Sequence, residues 1–311
     1  MTHDPRFGEI DLRTLSLFAG LDDAAMAIVT DRLEVQWIAS GTDLFLQNDP
    51  ADALYILLSG ALAVLHTPIG QLESKWVGQV VAGETVGEMA MLSGKPRTAT
   101  VRAVRDSEVL RFKRSDFEAL MASEPSAMLQ IARVAFQRLE ASQAGARKRD
   151  RQGRTFAIVP AGRGANTLTF AHTLSQALMR FGEVALITQA QAANESGGYF
   201  HALEQRHRFV LYLAEAHSGS WFELCRRQAD EILHVIAPNE LPEQSQFAAL
   251  EALPPHDALK RERLVLLHER QIMAGQANAW RAIRTNALIH HVGCSEDIAR
   301  IARFLTGNAT G

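Results

Sequence analysis

The chain has 311 residues, 47% of them hydrophobic and 22% charged, with a formal net charge of -3. That is the composition of a soluble globular protein with room for two cores, and its faintly acidic balance excludes a general attraction to nucleic acid or anionic lipid. No apolar run approaches the roughly 18 residues needed to cross a bilayer, and Met1–Glu9 is polar with no apolar leader, so a cytoplasmic protein is expected.

Residues 11–33 carry apolar positions at helical spacing, and Phe18, Leu21, Met26, Ile28, Val29 and Leu33 are expected to line one side of a short helical entry. The period then changes to that of strands. Val35–Ile38, Asp43–Leu46, Leu54–Leu58, Ala61–His66, Trp76–Val81, Thr98–Val104 and Glu108–Phe112 are short β-type runs. Gly41, Asn48-Asp49-Pro50, Ser59-Gly60, Pro68-Ile69-Gly70 and Ala82-Gly83 punctuate them, which predicts a compact antiparallel roll. Asn48 tolerates the left-handed conformation that such a turn asks for.

Beyond the fifth of these runs, and reaching into the sixth, lies Val86-Gly87-Glu88-Met89-Ala90-Met91-Leu92-Ser93-Gly94-Lys95-Pro96-Arg97-Thr98-Ala99. Gly87 admits close backbone approach. Glu88–Leu92 is helix-permissive, and one turn of helix there would direct free N–H groups and a positive dipole end at a phosphate. Arg97 carries the planar fork that pairs two phosphate oxygens, and Glu88 suits a ribose hydroxyl. Thr98 adds one hydrogen bond to phosphate or base. This is the inventory for holding a sugar phosphate.

The stretch resembles the phosphate-binding cassette of cyclic nucleotide-binding domains, as in the catabolite activator protein and the regulatory subunit of protein kinase A. Gly87, Glu88, Met89, Ala90, Arg97, Thr98 and Ala99 match its pattern in type and spacing. The resemblance implies cAMP or cGMP as ligand, Glu88 on the ribose 2′-hydroxyl, Arg97 on the cyclic phosphate, and no metal. It also places Gly41, Phe45 and Tyr55–Gly60 as glycine and aromatic turn markers of the roll.

A capping box of Ser115 and Glu118 is expected to start a helix, and Ser123-Glu124-Pro125 to restart it. Met128, Ile131, Ala132, Ala135, Phe136 and Leu139 then form one apolar stripe. In the resembling family the equivalent helix closes over the base. Arg147–Arg154 reads as a solvated basic linker, with a membrane-surface or nucleic-acid contact as its alternative.

Beyond it, strands at Thr155–Val159, Val184–Thr188, Phe209–Ala214, Glu231–Ala237 and Arg263–His268 alternate with helices. The helices are expected at Thr167–Phe181, Tyr199–Arg206, Ser220–Gln228, Gln244–Leu250 and Ser295–Leu305. Such alternation predicts a doubly wound, mainly parallel α/β domain. Its first strand ends in Pro160-Ala161-Gly162-Arg163-Gly164-Ala165-Asn166-Thr167, a glycine turn before a helix that lacks the Lys-Ser/Thr of a P-loop and the third glycine of a dinucleotide fingerprint. Neither Asn194–Gly198 nor Gly293–Asp297 is a Gly-x-Ser-x-Gly elbow. His290-His291, His201 and His207 lack metal-ligand spacing, and Cys225 and Cys294 fit reduced thiols. No catalytic constellation is visible.

Trp221–Leu233, Leu264–His268 and Ile301–Ala309, in that order after the roll and linker, resemble the regulatory half of patatin-like phospholipases of the neuropathy target esterase type. That resemblance implies a patatin-like serine esterase domain as partner, in cis or in trans, whose glycine-rich oxyanion loop and Ser-Asp dyad this sequence does not contain. The expected organisation is a cyclic nucleotide-binding domain at 11–145, a linker at 146–154 and a Rossmann-like α/β domain at 155–311. The chain is read as a non-catalytic regulatory module. The alternative is a catabolite-activator (Crp/Fnr) type transcription regulator, which would need a basic helix-turn-helix after the long helix.

Overall fold

The computed structural model describes residues 12–123 except 16, 19 and 20, residues 133 and 136, and residues 154–307 except 163, 193–196, 217, 239, 243–258, 269–274, 285 and 286. The expected helix over 125–142, most of the basic run at 147–154 and the helix over 244–250 lie outside the described residues. Two units divide the chain, Met1–Arg149 and Asp150–Gly311.

The first unit opens with a helical turn at Leu12–Thr14 and helix α1, Asp23–Arg32. Asp22 caps α1 by accepting from the Ala25 amide at 2.8 Å. Phe18, Leu21, Met26, Val29 and Leu33 are buried as expected, but Ile28 is exposed. One residue is a 100° step, which turns Ile28 off the stripe that Met26, Val29 and Leu33 share.

An antiparallel roll follows: β1 (Glu34–Ile38), β2 (Asp43–Phe45), β3 (Ala53–His66), β4 (Lys75–Val80), β5 (Thr85–Val86) and β6 (Thr100–Lys113). The strand order is β1-β6-β3-β4, with β2 on β6 and β5 on β3. Alternation along β3 feeds two cores. Leu54, Ile56 and Leu58 join Leu110 and Phe112 against α1, while Ala53, Tyr55 and Leu57 meet Ile38, Leu62, Val80, Val101 and Val109 inside the roll.

Two expected strand breaks do not occur. Ser59-Gly60 lies within β3 and Arg105-Asp106-Ser107 within β6, where shifts of register bend both strands and let them continue. Polar side chains serve the backbone groups that the bends release. Ser107 Oγ accepts from Ala61 N at 3.2 Å and donates to the Arg105 carbonyl at 2.7 Å, and Ser40 N donates to the Asp106 carboxylate at 2.9 Å. Gly60 sits at φ 95°, and a Cβ there would fall 2.1 Å from Ser107 Oγ. Gly60→Ala is therefore expected to destabilise the roll by about 3 kcal/mol, combining left-handed strain with overpacking; urea unfolding measures it.

Helix α2 (Glu88–Ser93) links β5 to β6, and α3 (Arg114–Ser123) follows β6 directly. Ser115 thus lies inside the first turn of α3 and not at its cap, and Glu118 pairs with Arg114 at 3.3 Å. The strand hands over without a break because Arg114 N still donates to Asp52 O at 2.8 Å.

The second unit is a six-stranded sheet of β7 (Arg154–Pro160), β8 (Val184–Ile187), β9 (Phe209–Leu213), β10 (Glu231–Ile236), β11 (Arg261–Leu267) and β12 (Leu288–Val292), in the order β12-β11-β10-β7-β9-β8. Every neighbouring pair is parallel. Helices α4 (Thr167–Leu178), α5 (Gln189–Ala192), α6 (Gly197–Arg206), α7 (Ser220–Gln228), α8 (Gln276–Ile283) and α9 (Ser295–Leu305) complete it. Phe156 and Ile158 pack with Leu174 of α4 and Ile301 of α9 on one face. Ala157 and Val159 pack with Phe200 of α6 and Phe222 and Cys225 of α7 on the other. The doubly wound α/β expectation holds. Strand β12 and helices α5 and α8 are additions to it, and α4 ends three residues before Phe181. The residues described after the roll form this sheet and not a helix-turn-helix.

Candidate ligand-binding site

The site grows from the turn between β5 and β6. Gly87 at φ 90° caps α2 and Gly94 at φ 66° ends it, so the helix is bracketed by two left-handed positions that glycine fills without strain. Glu88, Ala90 and Met91 point inward, and Met89 is exposed. Lys95-Pro96 then leads the chain back to Arg97.

The backbone of Arg97 is clamped by the loop after β2. Arg97 N donates to Asp49 O and Asn48 N donates to Arg97 O, both at 2.9 Å. Asn48 takes the left-handed conformation at φ 74°, and the Asp49 carboxylate closes the turn by accepting from Leu46 N at 2.8 Å. Only 2% of Arg97 remains exposed.

Its guanidinium is aimed into the roll. Nη2 donates to Ala53 O at 2.6 Å and to Asp52 Oδ1 at 3.1 Å, and Nη1 to Gly87 O at 3.3 Å. The Phe45 ring lies 4.1 Å from the guanidinium carbon and the Tyr55 ring 5.8 Å, and the two rings are 5.9 Å apart, so the cation rests against an aromatic pair on the inner wall. A Cβ on Gly87 would fall 2.4 Å from Nη1, so the approach of arginine to turn requires glycine. Arg97 Nε is buried with no hydrogen-bond partner. Burial lowers the guanidinium pKa from its ordinary value, opposed by Tyr55 and Asp52, and the group stays cationic.

Asp52 does not belong to Arg97 alone. Its second oxygen accepts from Arg111 Nη2 at 2.8 Å, and Arg111 reaches Glu34 at 3.2 Å, where Lys113 joins. Burial raises the Asp52 pKa, but the hydrogen bond from Arg111 and the charges of Arg111 and Arg97 outweigh it and hold the carboxyl below its ordinary value. Alternating charges thus run from the buried guanidinium to the surface of β1.

Of the six residues singled out from sequence, the structure brings Gly87 and Arg97 into contact. Glu88 follows as the buried first residue of α2, while Met89 and Thr98 are exposed and Ala99 half-buried. Sequence reasoning missed Asp52 and Arg111 as part of the site, and treated Phe45 and Tyr55 as turn markers. Only their alternation with strand neighbours signalled that the two rings point inward.

The glycine turn of the second unit is occupied. A Cβ on Gly162 would lie 2.0 Å from the Glu240 carboxyl carbon and both its oxygens. The Glu240 carbonyl is held by Trp280 Nε1 at 2.8 Å and Gln276 Nε2 at 2.9 Å. A carboxylate in that place opposes a phosphate.

His290 and His291 lie on β12, and among the described residues no group of three or more His, Cys, Asp or Glu is placed to hold a metal. His290 packs its ring on Phe304 at 5.6 Å, beside Arg263 Nη1 at 3.4 Å. Burial first, then the charges of Arg263 and Arg300, push its pKa down to about 4. A depressed histidine gives stability that is full above its unfolded pKa and is lost as pH falls toward the folded one. Unfolding midpoints are expected to drop between about pH 6.5 and pH 4, with a shallower drop in His290→Gln; urea titrations across that range test this.

Comparison with known proteins bears on both units. Residues 35–124 match the family described as cyclic nucleotide-binding domain, and residues 152–303 the Neuropathy Target Esterase family P-loop like domain. Lysophospholipase nte1 of Aspergillus fumigatus is 30% identical over 297 residues, covering 83% of this chain and 19% of that protein. Lysophospholipase NTE1 of Candida albicans is 28% identical over 85% of this chain and 22% of its own length. The chain therefore spans about a fifth of the curated relatives it matches. Among solved structures, the regulatory domain of Toxoplasma gondii PKA with cAMP is similar at 25% identity and a TM-score of 0.37, over 42% of this chain and 47% of that one. The chain thus joins, in this order, a cyclic nucleotide-binding domain and the P-loop like domain of the Neuropathy Target Esterase family.

Proposed function

We propose that this chain binds cAMP or cGMP and regulates a patatin-like lysophospholipase or esterase domain, supplied in cis or in trans, with residues 146–154 linking its two units. The observation that supports this reading is the buried Arg97 guanidinium, whose Nε has no partner and whose nearest carboxylate, Asp52, is shared with Arg111. A cyclic phosphate is the group that completes it, since a planar fork pairs two phosphate oxygens.

Glu88 takes the ribose hydroxyl, and Thr98 donates to phosphate or base. Gly87 gives the clearance, with Met89 and Ala99 beside it. A phosphate that takes Nη2 from Asp52 leaves that carboxylate wholly to Arg111, and the change passes into β6 and β1. Such a shift needs the nucleotide to prefer one arrangement over the other. Regulation therefore rests on exchange of one anion for another. Two free cysteines suit a cytoplasmic setting, and no helix among the described residues is long and apolar enough to cross a membrane. This chain acts as the sensor and the attached domain as the catalyst.

The test is calorimetric titration of the chain with cAMP and cGMP, beside Arg97→Ala and Glu88→Ala. Saturable binding lost in Arg97→Ala supports the reading and names the base. Absence of binding by either nucleotide overturns it.

A further inference from the structure

The two most exposed of the large apolar side chains described are Ile69 and Leu72, at 105% and 102%. Neither is covered by any other described residue. Both stand on the hairpin between β3 and β4. Pro68, Ile69, Gly70 and Gln71 make its tip, closed by Gln71 N donating to Pro68 O at 3.0 Å. Gly70 at φ 81° fills the third place of a type II turn, which leaves Ile69 at the corner.

The base of the hairpin is braced. The Gln47 side chain donates to Thr67 O at 3.1 Å and accepts from Thr67 N at 2.9 Å, and Thr67 Oγ1 meets Ser74 Oγ at 2.8 Å. The aliphatic pair is held out, not folded back. Below it on β4 stand Trp76, half-buried, and Val77, exposed. Glu73 and Lys75 offset one another, so the tip carries no net charge.

We propose that this hairpin is a membrane-insertion loop, with Ile69 and Leu72 entering a zwitterionic phospholipid surface and Trp76 at headgroup level. Three observations favour a lipid surface over a protein partner. The tip is convex, and two aliphatic side chains offer far less than the roughly 800 Å² per partner of a specific protein interface. Its turn amide is already bonded, so insertion strands no donor from Gln71. The balanced charge matches a surface without net charge, and an indole suits the headgroup layer. The proposal stands apart from nucleotide binding.

The experiment is flotation of the full 311-residue chain with phosphatidylcholine vesicles, against Ile69→Ser/Leu72→Ser and, as a control, Trp37→Ser on β1. Removing two aliphatic side chains that enter the bilayer is expected to lower the partition coefficient by about tenfold or more, with the control unchanged. Because both side chains stand clear of the described residues, equal melting temperatures and equal nucleotide titrations separate this loss from misfolding or from failure of the sensor reading. Wild-type protein that stays with the aqueous phase overturns the proposal. So does undiminished flotation of the double variant, or light scattering that shows a dimer without vesicles which the double variant abolishes.

Discussion

Arg97→Ala is expected to raise the Kd for cyclic nucleotide by about a hundredfold or more, the loss of a desolvated charged pair with two hydrogen bonds. The size follows from burial. The backbone of Arg97 is clamped at both its N–H and its carbonyl, and the guanidinium is held by the Ala53 and Gly87 carbonyls against Phe45, so its fork is oriented before the phosphate arrives and little rotamer entropy is lost on binding. Arg97→Lys is expected to recover only part of the affinity, because an ammonium is a point charge without a planar fork. The alanine variant also leaves the Ala53 and Gly87 carbonyls without their donor, so its unfolding free energy is measured alongside. A Kd unchanged in a folded Arg97→Ala protein would remove the arginine from the site.

The largest stability effect is expected from Trp280→Ala, at about 4 kcal/mol for the cavity and about 1 kcal/mol for the lost hydrogen bond. Trp280 is fully buried among Ala161, Ile236, Leu264 and Leu266. Its indole N–H holds the carbonyl of the residue whose carboxylate fills the Gly162 turn. Urea unfolding followed in the second unit reads the loss, and Trp280→Phe separates the two contributions by keeping most of the volume and dropping the bond. Equal costs for the two variants would mean that the hydrogen bond carries nearly all of the effect.

The cassette from Gly87 to Arg97 was legible in sequence because its requirements are local. A left-handed glycine, a short helix and an arginine a few residues on are written in consecutive positions. Asp52 and Arg111 were not legible, since their roles come from the pairing of β3 with β6, where Tyr55 lies opposite Arg111. The same long-range pairing hid the continuity of β3 and β6. Ser59-Gly60 reads as a turn in isolation, and only Ser107 on the neighbouring strand makes it a bend. In the second unit the alternation of strand and helix sufficed for the fold class. It failed at β12, where two histidines interrupt the apolar run of an edge strand with a single neighbour.

The order of synthesis sets a further demand on the second unit. Strand β7 is made first yet lies between β9 and β10, with Phe156 and Ile158 directed to one side and Ala157 and Val159 to the other. A nascent chain therefore carries an uncovered ribbon, apolar on both faces, until residues 231–236 have left the ribosome. Chains cut between β7 and β10 are expected to be captured by chaperones or degraded, whereas changes at the outer strands β8 and β12 leave the middle of the sheet paired.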